Sequence, residues 1–143
     1  MFKLAMRKRF VDVFVRRKQY QRRFISSSSS AIPLLYESDD VEVYGRPVGP
    51  MHMNMSLCVC KQTKQAVIVD AGDPEPESSF LELAKRKKIS IEAIWQTHAH
   101  IDHVLGLAKT KAMVPDAQIH LHPSDRFVAF SSLAPFLCPT CCF

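Results

Sequence analysis

From Val41 onward, apolar and polar positions fall into short periodic runs separated by turn residues. Val41–Val48 and Met51–Cys60 read as two strands joined at Gly49-Pro50. Ala66–Asp70 (AVIVD) is rich in β-branched residues and bounded by Lys64-Gln65 and an Ala-Gly-Asp-Pro turn, the signature of a buried strand. Ser78 or Ser79 is placed to cap a helix over Phe80–Lys88, in which Phe80, Leu81, Leu83 and Ala84 make one apolar stripe. Its basic end, Lys85-Arg86-Lys87-Lys88, suits the negative pole of the helix dipole, so this charge run is a solvated helix end and not a binding patch. Ile91–Gln96 (IEAIWQ) is the next strand, with Trp95 as a core anchor. A polar loop follows, then a helix over about His103–Met113 that stops before Pro115. Ala117–His122 reads as another strand, and Pro123 as the first residue of a short helix, Pro123–Phe130. The order is ββ and then βαβαβα, an α/β chain with no internal repeat and no glycine-rich phosphate loop.

Residues 1–30 follow a different rule. They hold nine Lys/Arg against the single acid Asp12 and end in the serine run Ser26–Ser30, a composition typical of organellar transit peptides. Arg22-Arg23-Phe24-Ile25-Ser26 also resembles the Arg-x-aromatic context at which mitochondrial presequences are cut. Plotted as a helix, the bases and apolar residues of this arm do not separate onto two faces. Mitochondrial targeting is the expectation. Plastid targeting and a basic tail on a cytoplasmic protein are the alternatives.

Splitting the charge in this way changes the meaning of the whole-chain value of +5. The arm carries +8 and the remaining 113 residues carry −3, so the body has no general affinity for nucleic acid. The longest stretch without a charge, Phe127–Phe143, has 17 residues interrupted by Pro135 and Pro139, too short and too broken for a membrane span. The 5 cysteines are odd in number and follow no secretory signal, which favours thiols in a reducing compartment over a disulfide framework. Cys58-x-Cys60 with Cys138-x-x-Cys141 could in principle form a four-thiolate zinc site. The first spacing is tighter than usual, and buried or incidental thiols are the better reading.

The chemistry is concentrated in Thr97-His98-Ala99-His100-Ile101-Asp102-His103, directly after a strand and at the mouth of a helix. His98 and His100, two apart in an extended segment, point the same way and can share one metal ion. Asp102 and His103 follow where the chain bends into the helix and can face a neighbouring ion. Imidazole with carboxylate suits zinc and also iron or manganese. Two such ions can activate water as a nucleophile at neutral pH. Four ligand-type side chains at this spacing outweigh the reading of surface histidines on a polar loop.

With Gly106 behind it, this string resembles the metal-binding signature of the metallo-β-lactamase superfamily. Ala66–Gly72 (AVIVDAG) is similar to the family strand ending in Asp-x-Gly, whose aspartate, here Asp70, buttresses the metal loop. The strand with Asn54 and the string His120-Leu121-His122-Pro123, with Asp125 behind it, are similar to the glyoxalase II-like branch. The resemblance, covering about residues 41–130, implies the N-terminal half of an αββα sandwich: one mixed sheet with helices on its outer face. It implies His98 and His100 on a first metal, and Asp102 and His103 on a second. Asp102 would also orient the nucleophile, and two zinc ions would fill a complete site. The implied reaction is hydrolysis of a small-molecule thioester of the acylglutathione kind. An iron-dependent persulfide dioxygenase is a further branch of the family.

The family completes each ion with more His and a bridging Asp well downstream. Here only 40 residues follow His103, their only histidines are His120 and His122, and no Asp follows Asp125. Half a sandwich and half a site are therefore expected over residues 31–134, with the Cys-rich end 135–143 fitting no family element. A truncated, non-catalytic fragment with an incomplete metal site is the rival to the hydrolase. One sheet alone would also leave the apolar side of AVIVD and IEAIW facing water, where a homodimer could form.

Overall fold

The computed structural model describes residues 32–75 and 80–126. The basic arm, the Ser78/Ser79 cap, the end of the Pro123–Phe130 helix and the Cys-rich end lie outside the described residues. Six strands form one sheet in sequence order: β1 (Leu34–Glu37), β2 (Val41–Val48), β3 (Met53–Cys60), β4 (Gln65–Val69), β5 (Ser90–Trp95) and β6 (Gln118–His120). Strands β1 to β4 pair antiparallel, whereas β4–β5 and β5–β6 pair parallel, so the sheet is mixed as expected. The parallel pairs arise where helices intervene: α1 (Phe80–Lys87) joins β4 to β5, and α2 (Ile101–Val104) with α3 (Leu107–Met113) joins β5 to β6.

The core lies on the helix side. Met55, Leu57 and Val59 of β3, Ala66 and Ile68 of β4 and Ile94 of β5 pack with Phe80, Leu81, Leu83 and Ala84 of α1 and with Val104 and Leu107. Phe80, Met55, Leu57, Ile68 and Ile94 are fully buried. Alternation places the remaining positions of these strands on the other face.

That second face departs from expectation. Cys58, Val67 and Ala93 are buried, with Val67 held mid-sheet between its register partners Cys58 and Ala93. The apolar side of AVIVD and IEAIW is therefore screened at the sheet centre. Exposed large apolar side chains gather instead on β1, at Leu34, Leu35 and Tyr36. The sequence pattern missed this strand because all four of its residues are exposed and no buried face imposes alternation.

The helix expected over His103–Met113 is also divided. Gly106, with φ −94 and ψ 1, separates α2 from α3. Two glycines here are required by close backbone approach. A Cβ at Gly106 would collide with the Asp73 carbonyl, and one at Gly72 with the Asp102 carbonyl and the Met53 methyl. The loop after β4 is thus clamped against the start of α2. Gly72→Ala and Gly106→Ala are each expected to cost about 2 kcal/mol, because backbone and not a flexible side chain must yield. Urea unfolding checks this; a loss within error for both would show that the loop moves freely.

Candidate metal centre

The parallel strands β4 and β5 end side by side, with Val69 opposite Trp95, and the loops leaving them carry the candidate chemistry. Carboxyl ends of parallel strands are the usual place for a ligand site in such sheets. After β4 the chain turns at Asp70, whose backbone is left-handed (φ 59) and whose N–H donates to the Trp95 carbonyl at 2.8 Å. After β5 it leaves the sheet through Gln96–His100, bending at Thr97. His100 is the N-cap of α2, and its carbonyl accepts from His103 N at 3.0 Å.

Asp70 holds this loop together. It is only 4% exposed. Its Oδ1 accepts from Thr97 N at 2.7 Å and its Oδ2 from the Thr97 hydroxyl at 2.8 Å. With the Gln96 amide oriented to satisfy its neighbours, the amide nitrogen donates to Asp70 Oδ1 and to the His103 carbonyl, and its oxygen accepts from Ala71 N, all at 3.1 Å. Asp70 Oδ2 also lies 3.0 Å from His103 Nδ1. This contact is close but off the hydrogen-bonding axis, since that buried nitrogen makes no aligned hydrogen bond. A carboxylate has about four acceptor sites, and three donors converge on this one.

The structure brings the expected ligands into two pairs. His98 Nε2 and His100 Nδ1 are 2.9 Å apart, and their rings meet edge to face with centroids at 4.5 Å. The His98 and His103 centroids are 4.0 Å apart. His103 Nε2 lies 3.7 Å from Asp102 Oδ2. No group of three or more His, Cys, Asp or Glu side chains among the described residues forms a closed cage for an ion. The donor set nevertheless fits one. Zinc–nitrogen bonds of about 2.0–2.1 Å in tetrahedral geometry separate two ligand nitrogens by about 3.3 Å, so the first pair needs only a small opening.

Of the other positions suggested by the sequence, His122 and His120 serve the fold. His122 Nδ1 accepts from Ser124 N at 3.3 Å and caps the 3-10 turn Pro123–Asp125. His120 sits on the edge strand with its ring against Trp95, centroids 6.3 Å apart. Asn54 is exposed on β3, opposite Pro47 in register. The role of Gln96 went unread in the sequence, and Gly72 was read only as the end of the Asp-x-Gly strand, not for its close approach to Asp102. The available signal was indirect, a threonine preceding the histidines and a glycine two residues after a strand-ending aspartate.

Known proteins place this geometry. An uncharacterized protein of Aquifex aeolicus is 37% identical over 82 residues, 57% of this chain and 36% of its own. The hydroxyacylglutathione hydrolase of Tolumonas auensis is 31% identical over 71 residues, 50% of this chain and 27% of that enzyme. A probable hydroxyacylglutathione hydrolase of Schizosaccharomyces pombe is 34% identical over 74 residues, 51% of this chain and 29% of its own. The chain thus spans about a third of the length of these relatives. Among solved structures, the BLEG-1 B3 metallo-beta-lactamase matches with TM-score 0.52 and 28% identity over 59% of this chain and 39% of that one. The FIM-1 metallo-beta-lactamase of Pseudomonas aeruginosa shares the fold, with TM-score 0.53 at 15% identity, over 73% of this chain and 49% of that one. The family profile of the metallo-beta-lactamase superfamily matches residues 48–128, more than half of the chain and the whole of the histidine cluster, and the chain belongs to that superfamily.

Proposed function

We propose that this chain carries the metal-binding half of a hydrolase site acting on thioesters of the acylglutathione kind. His98 Nε2 and His100 Nδ1 would hold one divalent ion, and Asp102 with His103 Nε2 a second; zinc suits the donor set, and iron or manganese share its chemistry. When bound, such ions supply Lewis-acid activation of water and of an acyl carbonyl. The protein groups do the rest. Asp102 orients the attacking water through its carboxylate, and the clamp at Gly72 and Gly106 fixes where that carboxylate begins. The observation that carries this reading is the 2.9 Å approach of His98 Nε2 to His100 Nδ1, on a loop anchored by a buried carboxylate. The thioester class is supported by the hydroxyacylglutathione hydrolases among the relatives.

Calorimetry with zinc, and metal content after dialysis, test the centre. With four protein donors split between two ions, binding is expected to be micromolar or weaker. His98→Ala or His100→Ala should abolish binding of the first ion, and His122→Ala should leave it within about threefold, because His122 caps a turn. Equal losses from His100→Ala and His122→Ala would show the ligand assignment to be wrong. Turnover is compared on acylglutathione, a β-lactam and a phosphodiester. Oxygen uptake with glutathione persulfide and no thioester hydrolysis would move the chain to the dioxygenase branch. Zinc binding without any turnover would leave the chain a non-catalytic binder.

A further inference from the structure

We propose that Thr97 is a positioning residue that fixes His98 as its Nδ1–H tautomer, with Asp70 as the acceptor that makes the arrangement one-way. The Thr97 hydroxyl touches two groups, Asp70 Oδ2 at 2.8 Å and His98 Nδ1 at 2.9 Å. A hydroxyl has one proton to give and lone pairs to receive with. An ionised carboxylate can only accept, and Thr97 N and the Gln96 amide both donate to Asp70 Oδ1, which leaves Oδ2 open to the hydroxyl. The hydroxyl proton therefore goes to Asp70. The remaining contact works only if His98 Nδ1 carries a hydrogen and donates it to Thr97 Oγ.

The consequence appears on the other side of the ring. With Nδ1 protonated, neutral His98 presents a lone pair at Nε2, the atom that faces His100. The hydrogen in the 2.9 Å contact between the two imidazoles then belongs to His100 Nδ1. A cation entering between them finds His98 already in its ligating form. His100 must give up its Nδ1 proton and take one at Nε2, so the ring stays neutral. Asp70 thus sets one histidine through a hydroxyl while facing the second, His103, directly at 3.0 Å. Outer partners of this kind commonly govern how well a histidine binds metal. The metal consequence rests on the ligand reading proposed above; the tautomer does not.

The test uses the full chain, freed of metal, with 15N-labelled histidine, at a pH where the imidazoles are neutral. Two-bond proton–nitrogen correlations should show His98 as Nδ1–H. Thr97→Val should shift His98 toward Nε2–H and weaken zinc binding roughly tenfold to a hundredfold. Thr97→Ser should restore both. Asp70→Asn is the sharper variant. Its amide nitrogen would donate to the Thr97 hydroxyl, which then donates to His98 Nδ1 and inverts the tautomer. An Nε2–H pattern for His98 in the unaltered chain overturns the proposal, as does a Thr97→Val spectrum indistinguishable from it. If Thr97→Val fails to fold, the unaltered chain and Thr97→Ser still decide. A chain that shows the Nδ1–H pattern yet takes up no zinc supports the relay and overturns the ligand reading instead.

Discussion

Asp70→Ala is expected to destabilise the chain by about 4 kcal/mol, and Asp70→Asn by about half as much. The first figure has two parts. Alanine leaves Thr97 N, the Thr97 hydroxyl and the Gln96 amide without the carboxylate that accepts from them at 2.7, 2.8 and 3.1 Å. Buried donors stripped of their acceptor cost about 1–3 kcal/mol each when no water replaces it. Alanine must also adopt a φ of 59, which is unfavourable by roughly 1 kcal/mol for a residue without a locally bonding side chain. Asparagine tolerates that conformation and keeps one oxygen for Thr97 N, so it isolates the loss of the second oxygen. Chemical unfolding of both variants measures the difference. A loss for alanine with none for asparagine would mean that the backbone conformation, and not the acceptors, is what Asp70 contributes.

Legibility of the sequence followed the physics of each signal. The strands around Cys58, Val67 and Ile94 could be read because β-branched and apolar runs were bounded by turn residues, and their observed limits differ by only a residue or two. The cluster of His98, His100, Asp102 and His103 was legible because ligand-type residues at that spacing have few other uses. Strand β1 escaped because Leu34-Leu35-Tyr36-Glu37 has no buried side to impose a period. The break between α2 and α3 escaped because its cause is the carbonyl of Asp73, distant in sequence and pressed onto Gly106. The role of Gln96 is likewise a tertiary one, since an amide in a strand-ending position shows nothing of the carboxylate it will meet. Burial of Val67 and Ala93 ran against the expectation of an open face; alternation assigns residues to a face but does not show how deeply that face is screened.

Alkaline pH supplies the other large effect, through Cys58. Its thiol is buried on β3, and desolvation pushes it from 9.0 up to about 12. The unfolded chain loses this proton near its ordinary value while the native chain retains it. The native state therefore binds more protons, and the stabilising contribution is complete below pH 9.0 and is lost as pH rises toward 12. Each pH unit in that window costs roughly 1.4 kcal/mol, so the total approaches roughly 4 kcal/mol. Cys60 behaves in the opposite sense. Partial burial raises its thiol, but the Thr63 hydroxyl and the backbone of Thr63 and Gln62 outweigh this and hold it below the ordinary value. An alkylating reagent should accordingly modify Cys60 well before Cys58. Other groups also ionise in this range, so the decisive quantity is the difference between the native chain and Cys58→Ala in urea unfolding across the window. Alanine leaves a small void whose cost does not vary with pH. The gap between the two proteins should therefore narrow steadily above pH 9.0 and reverse toward 12 if ionisation outweighs the void. A gap that stays constant would show that the Cys58 thiol is reached by water in the native sheet.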